Sequence, residues 1–179
     1  MKKRAVIVGI NRYEDSDHIR ALRCAEQDAR GLDKFLEHRL GFENLTLLGS
    51  EATSREVNEA VRESCAGLGE GDLFLFYFAG HGSENHLGQI LLCHGAVYPH
   101  LEAKAATDVI PVESLYRFSD SCGASRILII DACRDHVDAG RSGDAFGEPR
   151  TQPAEAESFC RGAGAFCPAV LLPQRTAFA

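Results

Sequence analysis

The sequence predicts an α/β domain in three α-β-α layers, with a mostly parallel central sheet and helices on both faces. Three observations lead there. The runs Arg4–Ile10, Leu73–Ala79 and Arg126–Ile130 are apolar without alternation, as strands covered on both faces are. Between them, apolar residues recur at helical spacing. The two kinds of segment alternate along the chain, and strands joined through crossover helices run parallel.

Taken in order, Arg4–Ile10 is the first strand. Leu22, Ala25, Ala29, Leu32 and Leu36 then share one face of a helix expected over about residues 19–38. Gly41 stands where a C-cap belongs. Asn44–Leu48 reads as a short second strand. Thr53 and Glu56 form a capping-box pattern, and Val57, Ala60, Val61 and Leu68 give the second helix its apolar face. Leu73–Ala79 is the central strand. Residues 81–110 read as irregular, with a small hairpin around Gly95. Pro111 is placed to start a third helix, with Val112, Leu115 and Phe118 facing inward and Gly123 beyond its end. Arg126–Ile130 is the last buried strand of the pattern. A single domain is therefore expected over residues 1–137. Residues 138–168, rich in Gly, Ala, Pro and charge, read as a flexible loop, and residues 169–179 as the remnant of a further strand.

Composition narrows the function classes. The chain has 179 residues, enough for one domain with a real core, and its formal net charge is −7. Such a balance offers no phosphate-neutralising surface, so no nucleic-acid partner is expected. No apolar run approaches a membrane span, and the short one after Met1-Lys2-Lys3-Arg4 is followed at once by Asn11, Arg12 and Glu14, unlike a signal peptide; a cytoplasmic protein is expected. The 7 cysteines show no C-x-x-C spacing and read as mostly reduced thiols.

Sites on open parallel sheets form beyond the carboxyl ends of strands. Leu73–Ala79 runs into Gly80-His81-Gly82, and the last strand runs into Asp131-Ala132-Cys133-Arg134. If the two strands are neighbours, His81 and Cys133 meet at one sheet edge. A thiol with a pKa of about 8.5 is mostly protonated at neutral pH, and an adjacent imidazole can take its proton. The amides of Gly82 and Cys133 are candidates for an oxyanion hole.

Tyr77-Phe78-Ala79-Gly80-His81-Gly82 and Asp131-Ala132-Cys133-Arg134 resemble the His and Cys motifs of the caspase/metacaspase clan of cysteine peptidases, in order and in spacing. Ala5-Val6-Ile7-Val8-Gly9-Ile10-Asn11 resembles that clan's opening strand. Leu22-Arg23-Cys24-Ala25-Glu26-Gln27-Asp28-Ala29 resembles its first-helix motif, with Gln27 where Asn is usual. The resemblance covers about residues 4–135, the large-subunit part. It implies a cysteine endopeptidase with His81 and Cys133 as the dyad, needing no cofactor for its chemistry. Asp131, two before the cysteine, is similar to the bacterial metacaspase-like branch. With Asp28 it implies an acidic pocket, hence a protein or peptide substrate cut after Arg or Lys. Some relatives use Ca²⁺, for which the sequence carries no dedicated loop. The clan usually has further strands after the cysteine. The alternative is therefore a catalytically silent interaction module, or a chain completed by a small-subunit partner or a second copy.

Blander readings stand beside these. Asp131 resembles a receiver-domain phosphoacceptor in position, but the first strand ends Gly9-Ile10-Asn11 without the acidic pair that would hold Mg²⁺. It could also only cap the turn after its strand, and Asp28 could be a solvated helix residue. Gly9 lacks the rest of a dinucleotide fingerprint. His86, His94, His100 and Cys93 match no standard zinc spacing, so no metal is expected. Cys24, Cys65, Cys93, Cys122, Cys160 and Cys167 read as structural. Arg134, Arg141, Arg150 and Arg161 lie in or near the loop and read as mostly solvated; if specificity is basic, one of them is a candidate self-processing site.

Overall fold

The computed structural model describes residues 1–85, 88–97 and 108–133. The expected segments 138–168 and 169–179, and the four loop arginines, lie outside them. Among the described residues, six strands and three α-helices follow in the order β1 (Lys3–Gly9), α1 (Ala25–Phe35), β2 (Glu43–Leu48), α2 (Ser54–Cys65), β3 (Leu73–Asn85), β4 (Gly88–Leu92), β5 (Val109–Pro111), α3 (Val112–Asp120) and β6 (Ser125–Cys133). A π-helical turn, Leu36–Leu40, extends α1, and a short 3-10 turn, Gly49–Glu51, precedes α2.

The sheet is parallel across β2-β1-β3-β6. β3 then continues past the parallel part and pairs antiparallel with β4, which pairs with β5. Side chains alternate across the pleat. Val6, Val8, Phe74, Phe76, Phe78 and Leu128 face α2 and α3 in one core layer. Ala5, Ile7, Leu75, Tyr77, Ala79 and Ile129 join Ala25 and Ala29 of α1 in the other. The unbroken apolar runs of β1 and β3 are thus strands buried on both faces, whereas β6, expected to be buried as well, buries Leu128 and leaves Ile127 37% exposed.

Local chemistry explains most boundaries. Thr53 caps α2, its hydroxyl accepting from Glu56 N–H at 3.2 Å. The Asp108 carboxylate accepts from the Ser54 and Gly95 amides, tying the start of α2 to the stretch after β4. Arg4 donates to the Ala66 carbonyl at 2.7 Å, just past the end of α2.

Three expectations are corrected. The first helix begins at Ala25, not near residue 19, because the backbone of residues 15–22 is used elsewhere: Ile19 N–H donates to Asp15 C=O and Leu22 N–H to Asn11 C=O. Residues 81–110, expected to be irregular, include paired strands: β3 runs on to Asn85 against β4, and β4 pairs antiparallel with β5 across the segment that holds Gly95, the expected place of the hairpin. Phe118 does not face inward but is 45% exposed. Val112, Leu115 and Ser119 form the inner face of α3, and the Ser119 hydroxyl is satisfied by donating to Leu115 C=O at 2.8 Å.

Gly9 sets the seat of α1 on the sheet. A Cβ there would lie 2.7 Å from the Ala25 carbonyl oxygen and 2.7 Å from Ala29 Cβ. Gly9→Ala is therefore expected to destabilise the fold by about 1–3 kcal/mol, as overpacking against backbone does. Thermal unfolding should show a melting point several degrees lower; an unchanged one would mean that α1 shifts freely.

Candidate active site

The parallel register brings the two sequence-predicted residues together: His81 is the Cα partner of Cys133, the last pair of the β3–β6 ladder. Two pairs earlier, Ala79 is opposite Asp131 and also Gly9 of β1. The carboxyl ends of three strands therefore meet at one edge, with the N-terminus of α1 packed against Gly9.

His81 is 4% exposed and held from several sides. Its backbone N–H donates to the Tyr13 hydroxyl at 2.8 Å. Its Nε2 lies 2.7 Å from the Arg20 carbonyl oxygen. A carbonyl only accepts, so Nε2 carries the proton and Nδ1 is the basic nitrogen of the neutral ring. The Tyr13 ring tilts against the imidazole, with centroids 5.3 Å apart. Burial and the neighbouring thiol of Cys93, set against the bond from the His81 backbone, leave the Tyr13 hydroxyl raised far above its ordinary pKa, so it stays protonated. Gly80 makes this contact fit. A Cβ there would lie 2.8 Å from the Tyr13 hydroxyl and 2.9 Å from the Phe78 ring.

Backbone groups of a strand point alternately to its two edges. On β3, Leu73 N–H and Ala79 C=O bond toward β1, and Asp72 C=O bonds toward β6. His81 N–H follows the odd-numbered residues toward Tyr13, in the loop after β1. The alternation directs Gly82 N–H to the β6 side, just past the His81–Cys133 pair.

Asp28 and Asp131 also come together. Asp28 lies half-buried on the first turn of α1, and Asp131 is exposed on β6. The Asp28 carboxyl is raised above the usual range, first by burial and then by the Asp131 charge. Tyr77, buried between α1 and the sheet, is raised by burial and then by Asp131 and Asp28.

Tyr13, Tyr77 and the Arg20 carbonyl escaped the sequence reading. Tyr13 left a faint signal, a lone aromatic in the polar stretch 11–18; a backbone carbonyl leaves none. Cys24 departs from the expectation of reduced thiols, because it is disulfide-bonded. Cys65, Cys93 and Cys122 are free. Burial and the nearby Asp108 carboxylate raise the Cys93 thiol, so it is unreactive. Burial, with Cys122 beside it, pushes the Cys65 thiol up to about 12. Among the described residues no cluster of three or more His, Cys, Asp or Glu side chains could hold a metal; His86 and His100 lie outside them. Among the described residues, too, no helix is long and apolar enough to cross a membrane.

Adjacent parallel strands of an α/β fold thus bring a buried histidine and a cysteine to one sheet edge. The chain belongs to the caspase-domain family of cysteine peptidases, whose sequence pattern it matches over residues 2–165. Among solved structures it is similar to protein GSU0716 from Geobacter sulfurreducens, at 22% identity and a TM-score of 0.56, over 73% of this chain and 49% of that one. That likeness concerns the fold, and this chain spans about half the length of the solved protein. No curated protein matches.

Proposed function

We propose that the chain is a cysteine endopeptidase that cuts after Arg or Lys. The observation that carries the reading is the pairing of His81 with Cys133 at the end of two adjacent parallel strands. In this scheme the Cys133 thiol gives its proton to His81 Nδ1 and its sulfur attacks the scissile carbonyl. Gly82 N–H and Cys133 N–H receive the oxyanion. The imidazolium returns the proton to the departing amine, leaving a thioester that water hydrolyses with His81 again as base. The Nε2–H bond to the Arg20 carbonyl holds the ring in the tautomer this needs. Asp28 and Asp131 would take a guanidinium or ammonium, whose positive charge would favour the ionised Asp28 carboxylate that burial and the Asp131 charge disfavour. The chemistry calls for no cofactor, and calcium would act on assembly or access only.

The test uses peptides ending in Arg, Lys or Asp before a fluorogenic leaving group, on the wild type and Cys133→Ala, with and without Ca²⁺. The expected result is turnover after Arg or Lys that vanishes in the variant. Turnover after Asp alone would overturn the specificity, and activity surviving in Cys133→Ala would overturn the nucleophile.

One observation favours a second reading, a module that needs a partner chain or a second copy. Among the described residues β6 pairs with β3 alone, and Ile127 on it is 37% exposed. A strand added along that edge would complete the sheet. This reading predicts silence from the isolated chain in the same assay.

A further inference from the structure

We propose that Cys24 is a resolving cysteine for Cys133: a disulfide between them holds the site oxidised and inactive, and reduction by a thiol releases it. The inference rests on the reading of Cys133 as nucleophile.

Cys24 is disulfide-bonded. Of the seven cysteines, Cys65, Cys93 and Cys122 are free, so its partner is Cys133, Cys160 or Cys167. The backbone of residue 133 lies at the edge where Cys24 stands. Cys24 is the N-cap of α1, and the next residue, Ala25, has its carbonyl against Gly9. Gly9 is in register with Ala79, and Ala79 with Asp131, two residues before Cys133. Four residues before Cys24, the Arg20 carbonyl bonds to His81, the register partner of Cys133. Four residues after it, Asp28 feels the charge of Asp131. Along strand β6, residues 129, 131 and 133 share the sheet face that α1 covers. The segment from Arg20 to Asp28 thus frames the end of β6, with Cys24 at its middle.

The exchange balances as a two-electron step. A glutathione-class thiolate attacks the Cys24 sulfur, forming a mixed disulfide, and Cys133 leaves as a thiolate. A second thiolate attacks the external sulfur of that mixed disulfide and frees Cys24. Two external thiols are oxidised to one disulfide, and their two protons end on Cys24 and Cys133. From the first exchange onward Cys133 is a free thiolate able to attack a substrate carbonyl.

The experiment maps peptides of the full chain, purified in air and digested without reductant, beside activity on the basic peptides before and after dithiothreitol. A Cys24–Cys133 linked peptide is expected, with activity at background until reductant is added. Cys24→Ser is expected to be active without reductant and to resist inactivation by glutathione disulfide; serine is a favoured N-cap, and a melting point equal to that of the reduced wild type confirms its fold. Cys24 linked to Cys160 or Cys167, or no link at all, would overturn the switch and leave the protease reading standing. No turnover from fully reduced protein that did carry the Cys24–Cys133 link would overturn the protease reading and the switch with it.

Discussion

His81→Ala is expected to lower kcat/KM on basic peptides by about 10²–10⁴-fold, the usual contribution of a positioned general base. The site concentrates structure on this one ring: a carbonyl fixes its tautomer, a tyrosine ring flanks it, and a tyrosine hydroxyl holds its backbone. Because the side chain is 4% exposed, its removal also leaves a buried void, and some stability will be lost. Free imidazole separates the two effects. Added to folded His81→Ala, it should restore part of the turnover, since the vacated space is its own shape; it should do nothing for Cys133→Ala. A His81→Ala protein within tenfold of the wild-type rate would remove His81 from the mechanism. Tyr13→Phe gives the complementary control. It leaves the imidazole but strips the acceptor from a buried amide, which costs about 1–3 kcal/mol of stability.

Neutralising the acidic pair should have the next largest effect. A charge-assisted hydrogen bond contributes about 1.5–3 kcal/mol, so Asp131→Asn and Asp28→Asn are each expected to reduce kcat/KM for Arg peptides by about 10- to 100-fold. The loss should appear mainly in KM, because the pocket binds a side chain that does not react. Asp28 adds a pH signature with a definite sign. Its pKa is raised in the folded protein, by burial first and Asp131 second, so its ionised form is a cost to folding. That cost is absent below the ordinary aspartate pKa of about 3.9 and grows as pH rises through the raised value. Asp28→Asn should therefore melt at or above the wild-type temperature at pH 7, with the gap closing as the solution is acidified. In the wild type, KM for Arg peptides should begin to climb on acidification at a higher pH than an ordinary aspartate would give. A variant less stable than wild type at pH 7, with unchanged KM, would reassign Asp28 to structure.

The fold was legible because its strands are apolar on both sides, a pattern that surface elements do not imitate. The meeting of His81 and Cys133 was legible because parallel strands end on a common edge whatever their lengths. What escaped depends on backbone groups and polar continuations. β3 runs to Asn85, although its apolar run ends at Ala79, because Gly82–Asn85 find hydrogen bonds in β4 and not a core to bury. The first helix starts later than its periodicity suggests, because residues 19–24 serve the histidine and the sheet edge instead. Phe118 obeyed helical spacing, yet a small serine whose hydroxyl bonds its own helix took the inward position beside it. In each case a satisfied main-chain or hydroxyl group outweighed a hydrophobicity pattern.

The branch in β3 gives the site a particular vulnerability. The same strand that builds the centre of the core carries His81, the proposed base, just beyond it, so the proposed chemistry would read out strand alignment. Sliding β3 by one residue against β6 would move His81 only about 3.3 Å along, but it would also turn the ring to the opposite surface of the sheet. A protein so misaligned would keep its helices, its compactness and most of its buried area, and still have no turnover. On the proposed mechanism, catalytic rate would be a more sensitive gauge of correct folding than any spectrum of secondary structure.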